Sequence, residues 1–239
     1  MSDNKALASN QNTTKKAKQT MGEKLNTLRA GVLGSNDGIL TVVGVLFSVA
    51  VATTNRFTIF IAGLSDLLAC ALSMASGEYS SVSSQQDTEQ SAVATEKHLL
   101  KTDFAGELKT VQNYYASKGI TAQTAKDIAQ NLLDTQPLST MVSVKYNLQL
   151  GHYMNPWNAA FSSLFSAALG GILPLVAMSL LPVSIEWPGT ILAVIICVGL
   201  TGYLSAKLGN GLTKKAIIRN IIIGIITMII HYTLGILIK

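Results

Sequence analysis

The sequence predicts an all-α membrane protein: five transmembrane helices, with a cytosolic helical domain inserted between the second and the third. Three observations carry that prediction. Of 239 residues, 49% are hydrophobic and only 13% charged, and the mean hydropathy is +0.38, whereas a soluble domain carries about 25% charged residues. The apolar residues also gather into five stretches, near 30–53, 57–77, 157–181, 188–208 and 216–238. Each is long enough for a bilayer core, which asks for about 20 apolar residues per helix. Finally, the basic residues are sorted by loop. This composition excludes a soluble enzyme.

The segments follow in order. Residues 1–29 form a polar basic tail, with no apolar stretch of signal-peptide length before Leu28, so it reads as a cytosolic tail and not a cleaved signal. Residues 30–77 hold the first two spans. The 78–156 segment is too long for a plain connector, and its punctuation is helical. Ala-rich sequence continues from the second span toward Leu100; Asp103 can cap a helix reaching Ser117, with Gly119 just beyond. Thr121 can cap another to about Asp134, ended by Gln136 and Pro137, and a short helix over 138–150 leads to Asn155-Pro156-Trp157. There Asn suits the N-cap, Pro the first turn and Trp the membrane interface. Residues 157–239 hold the last three spans.

Six of the 18 Lys and Arg residues precede the first span, six lie between spans two and three, and four flank the fourth-to-fifth connection; only Arg56 and Lys239 fall on the other side. That bias places the N-terminus and the 78–156 segment in the cytosol and the C-terminus outside. The net charge of +5 does not indicate nucleic acid, because the 78–156 segment has eight acids against six bases. Basic residues beside the spans are explained by anionic lipid. Cys70 and Cys197 both fall in predicted spans, so they form neither a disulfide framework nor a CxxC site and read as small core residues.

An ionisable side chain within a span costs several kcal/mol or more and marks a functional position by default. Asp37 lies in the first span, Asp66 in the second and Glu78 at the cytosolic end of the second. The competing reading of Asp37 is a carboxylate turned toward the interface where Gly34-Ser35-Asn36-Asp37-Gly38 unwinds. Helical spacing favours function, because residues three, four and seven apart share a face. Gly34, Asp37, Thr41, Gly44 and Ser48 form one stripe, and Asp66, Cys70, Ser73, Met74, Gly77 and Glu78 form another. In the fifth span Asn220, Gly224, Thr227 and His231 read as close packing. Carboxylates with a thioether suit Fe²⁺ and related first-row ions, manganese included. A carboxylate that holds either metal or proton is also the physical basis of exchange.

The residues over 28–50 and 62–89 carry NDG and SMxxGEYxSVxSQxDxE motifs, and with them the chain resembles the vacuolar iron transporter family. The Asn155-Pro156-Trp157 run, five spans, the insertion after the second and the predicted orientation fit as well. The resemblance implies a homodimeric Fe²⁺ or Mn²⁺/H⁺ antiporter that removes metal from the cytosol, with its pathway lined by the first two spans. It places pathway and metal roles on Asp37, Met74 and Glu78; Asp66 is added to the pathway on its intramembrane position alone. No tightly bound cofactor is expected, the metal being cargo. The glycine-bearing stripe of the first span agrees with dimerisation.

The inserted domain departs from the family. Iron-loading members present glutamates at ExxE spacing there, but here Glu96 is followed by Leu99 and Glu107 by Thr110. A further family glutamate falls at about Asn147, its methionines at about Ser143 and Val144, leaving Met141 as the nearby thioether. Glu96 and Glu107 are thus weak metal candidates, and the domain is expected to store little or no metal while keeping a structural role. The alternative to transport is a membrane scaffold or metal sensor with a degenerate domain. An enzyme lacks support: there is no HExxH or GxSxG, and His98 and His152 are isolated. Short loops and the plain tail predict a bacterial cell membrane.

Overall fold

A computed structural model describes residues 21–151 and 154–238. The polar tail over 1–20, with His152 and Lys239, lies outside them. The described residues form eight helices and no strand: α1 (Met21–Ala52), α2 (Arg56–Thr102), α3 (Phe104–Ser117), α4 (Ala122–Thr135), α5 (Pro137–Tyr146), α6 (Pro156–Leu180), α7 (Glu186–Leu208) and α8 (Thr213–Ile238). Five of them, α1, α2, α6, α7 and α8, are long and apolar enough to cross a membrane.

Local chemistry sets the boundaries. Asn55 accepts from the Thr58 amide at 3.1 Å to start α2, and Asp103 accepts from Gly106 at 3.0 Å to start α3. Asn155 accepts from Trp157 at 2.9 Å, with Pro156 in the first turn of α6. Each side chain satisfies an amide that has no partner within its helix. The short fifth helix ends at Tyr146 and not near Leu150, because Asn147 adopts the left-handed conformation at φ 54°, which Asn tolerates and a helix cannot continue through.

α1 is the hub. Ile39, Val42, Val43, Leu46 and Phe47 bury against Ile59 and Leu67 of α2, Leu175 and Met178 of α6, Val194 and Val198 of α7, and Met228 of α8. Close approach comes from glycine: a Cβ on Gly34 would meet the Ser163 carbonyl at 2.7 Å, and one on Gly38 would collide with the Ala167 carbonyl. Pressed against α6, the 34–38 stretch stays helical and does not unwind. The two glycines of the Gly34–Ser48 stripe, Gly34 and Gly44, face neighbours within the chain, as Gly38 does, so their closest packing is intramolecular. Outward rows such as Phe165, Leu169 and Leu173 on α6 and Ile222, Ile226 and Ile229 on α8 are exposed; so much apolar surface suits lipid, not water.

Two further features position the site. With 47 residues, α2 is roughly 70 Å long at 1.5 Å per residue, over twice a bilayer core of about 30 Å. Its C-terminal half therefore runs beyond the apolar segment, where α3, α4 and α5 pack around Val111, Ala129, Leu133 and Met141. At the other end, Arg56 bonds the Leu181 carbonyl and pairs with Glu186 at 3.7 Å, fastening the α1–α2 turn to the α6–α7 turn.

Candidate functional site

With Gly34 and Gly38 against α6, Asp37 is left to face α2. There Cys70 donates its thiol to Asp37 Oδ2 at 3.6 Å. One turn further along α1 is Thr41, and one turn back along α2 is Asp66. The Thr41 hydroxyl is set against the Asp66 carboxylate, with Asp37 and, from α8, His231 within its Coulombic range, so four polar side chains of α1 and α2 gather in the apolar bundle with His231 in their field. Asp66 Oδ2, Thr41 Oγ1 and Asn36 Oδ1 are buried without a well-formed hydrogen bond. A buried polar oxygen with no partner costs about 1–3 kcal/mol, more if charged. Such a cluster calls for a cation, a proton or water.

His231, read from the sequence as packing, does pack: a Cβ on Gly44 would meet its ring at 2.7 Å, and Ser48 Oγ lies 3.5 Å from Nδ1. The structure adds that this ring lies within Coulombic range of the Asp66 carboxylate, a relation across helices that spacing within one helix cannot reveal.

Met74 packs against Cys70, Ala71 and Ala167, one turn beyond Cys70. Glu78 follows, buried at 6% exposure, and Arg29 of α1 pairs with its Oε2 at 3.3 Å while also bonding Asn26. Sequence reasoning missed this guanidinium, since 49 residues separate the pair. From Asp66 to Glu78 the helix rises roughly 18 Å, too far for one coordination sphere. Among the described residues no three His, Cys, Asp or Glu side chains gather closely enough to hold a metal ion. The arrangement is a file of donors along the α1–α2 seam, suited to passing a cation from group to group. A nearby cleft of about 970 Å³ between α1, α6 and α7 offers only Ser35, Ser162, Ser166, Thr201 and similar neutral groups among leucines and is not part of that file.

Glu96 and Glu107 come together away from the spans, but around a cation of the chain's own. Lys145 Nζ donates to Glu96 Oε1 and Oε2 at 3.1 and 3.0 Å and to Glu107 Oε1 at 2.8 Å. The Tyr146 hydroxyl donates to Glu96 Oε1 at 2.9 Å. Burial works against the Lys145 charge, yet the bonds and charges of the two glutamates outweigh it and push its pKa up. The bond to Glu96, helped by burial and by that negative charge, likewise pushes Tyr146 up.

Comparison with known proteins agrees with this layout. A sequence model described as the VIT family matches residues 28–236. The chain is 31% identical to a "Vacuolar iron transporter" of Acanthamoeba castellanii over 196 residues, 82% of this chain and 72% of that protein. It is 26% identical to the rice "Vacuolar iron transporter homolog 2", over 86% of this chain and 87% of the relative. A soybean "VIT-like transporter 1b" matches at 30% over a shorter stretch, 38% of this chain. Because the match runs through the donor seam, the insertion and all three remaining spans, the chain belongs to the VIT family.

Proposed function

We propose that this protein carries a divalent first-row metal ion, Fe²⁺ or Mn²⁺, out of the cytosol in exchange for protons. One observation carries the reading: Asp66 Oδ2 is buried inside a membrane span with no well-formed hydrogen bond, the Thr41 hydroxyl being set against its carboxylate and a second carboxylate, Asp37, lying within Coulombic range. A carboxylate there is costly unless it has work to do. Asp37, Asp66, Met74 and Glu78 form the pathway, the acids attracting the ion and the thioether favouring a first-row metal over Mg²⁺ or Ca²⁺. The relatives named as vacuolar iron transporters support metal as cargo.

Moving a divalent ion outward against 100 mV costs about 4.6 kcal/mol. Proton counter-movement offsets this, because the same carboxylates bind proton or metal but not both. The charge bias of the loops supports a cytosolic N-terminus and a cytosolic α3–α5 unit. Export across a cell boundary and loading of a vacuole are equivalent in this orientation, both running away from the cytosol. The proposal includes a homodimer. Ser65, Ala69, Ser73 and Gly77 form an exposed row of small residues on α2, and nothing lies within 4 Å of a Cβ on Gly77. Such a row lets helices approach closely.

The test is flux into proteoliposomes, comparing Fe²⁺, Mn²⁺, Zn²⁺ and Ca²⁺ with and without a pH gradient. Fe²⁺ or Mn²⁺ movement should rise with the gradient, and Asp37→Ala or Met74→Ala should abolish it in protein that still inserts. Unchanged flux in both variants would sink the site assignment. Absence of flux in the unmodified protein would return the scaffold or sensor reading.

A further inference from the structure

The α3–α5 unit holds a second constellation that the transport reading does not use. Glu96, from the far half of α2, has a fully buried side chain, and Glu107, from the first turn of α3, has one 6% exposed. Two carboxylates withdrawn from water repel each other and each needs a counter-charge. The cation they share is Lys145 of α5, whose Nζ lies within 2.8–3.1 Å of oxygens on both. The charges do not balance, since one ammonium answers two carboxylates. Glu107 Oε2, buried and 2.8 Å from the same Nζ, is held by ion pairing without a formed hydrogen bond.

We propose that Lys145 is a tethered substitute for a divalent cation: its ammonium occupies a latent Glu96–Glu107 metal site, closes the α2–α3–α5 junction without metal, and excludes metal while it remains. The donors support this. Two carboxylates and the Tyr146 phenol oxygen, already bonded to Glu96 Oε1, are hard oxygen ligands of the kind Mn²⁺ takes. An N⁺–H···O⁻ contact spans about 2.7–2.9 Å, whereas smaller divalent ions sit at about 2.0–2.6 Å from carboxylate oxygens. With the carboxylate oxygens 2.8–3.1 Å from Nζ, a bare ion thus requires each carboxylate to move inward by on the order of 0.2–1 Å, within reach of side-chain and helix adjustment. It also supplies the second positive charge that the ammonium lacks. The tether gives Lys145 its advantage, because a side chain already held at the site meets the carboxylates at a high effective concentration whatever the metal level.

The test uses the full-length chain in detergent, with Mn²⁺ as the probe followed by electron paramagnetic resonance and by thermal unfolding. Counting the difference between variants cancels any Mn²⁺ held in the spans. Lys145→Gln should bind one more Mn²⁺ per chain than the unmodified protein, and its unfolding temperature should fall in chelator and recover with Mn²⁺. A variant with Glu96→Gln, Glu107→Gln and Lys145→Gln together should lose both the extra ion and the Mn²⁺ response. If Lys145→Gln is too loose to fold in chelator, recovery of its helical signal with Mn²⁺ carries the same information. Lys145→Gln that gains no Mn²⁺ and is not stabilised by it overturns the proposal. So does unmodified protein that loses one Mn²⁺ when Glu96 and Glu107 alone become Gln.

Discussion

Gly38 and Gly77 lie on neighbouring helices, yet their surroundings are opposite. A Cβ on Gly38 would collide with the Ala167 carbonyl, a backbone atom that cannot swing aside, while one on Gly77 meets nothing within 4 Å. Gly38→Ala should therefore destabilise the fold by about 1–3 kcal/mol, as overpacking does, and Gly77→Ala should leave it unchanged; unfolding temperatures in detergent measure both. At this scale the acids were legible from the sequence. Asp37, Asp66 and Glu78 declare themselves as charges in or beside apolar runs, and Cys70 shares a helical arc with Asp66. Their partners were not legible. Arg29 reaches Glu78, and Lys145 reaches Glu96, across 49 residues in each case, and helical periodicity reports nothing about such pairs. Glu96 and Glu107 show the cost of reading one partner alone: the sequence marks them as weak metal candidates, and it does not reveal the lysine bonded to both.

Among the elements, the α2 extension with α3–α5 is held by a small apolar cluster and by the Lys145 clasp, and this makes its response to pH specific. The folded pKa of Lys145 lies above its ordinary value, so its contribution is complete below about pH 10.4, the unfolded lysine value, and is lost as pH rises through the folded one. Tyr146, also raised, acts in the same sense, since the unfolded phenol ionises at about pH 10 before the folded one does. Amide hydrogen exchange should show α3–α5 well protected at neutral pH and opening above about pH 10 before the five long helices do; simultaneous loss would contradict a separate clasp. The extents of these helices were readable from Asp103, Thr121, Pro137 and Asn155. The end of α5 was not, because Asn147 fits a helix by composition and leaves it only through its backbone conformation.

For the whole molecule, five apolar runs were enough to lay out the five long helices. Which faces meet was harder to read. The glycines of α1 turn inward to α6 and α8, and the proposed dimer therefore uses the small row on α2. Gly77→Trp should then convert a particle of two chains into one of a single chain, with the monomer fold intact, as judged by light scattering in detergent. An unchanged mass would place the contact elsewhere. The length of α2 has a mechanical consequence as well. One unbroken helix bears Asp66, Met74 and Glu78 and, 18 residues further, Glu96. A tilt of about 10° pivoting at Glu78 displaces Glu96 by on the order of 5 Å, more than the Lys145 clasp can span. The rod is thus a lever without a joint: holding its long arm still also fixes the angle at which its short arm presents the donor row to α1.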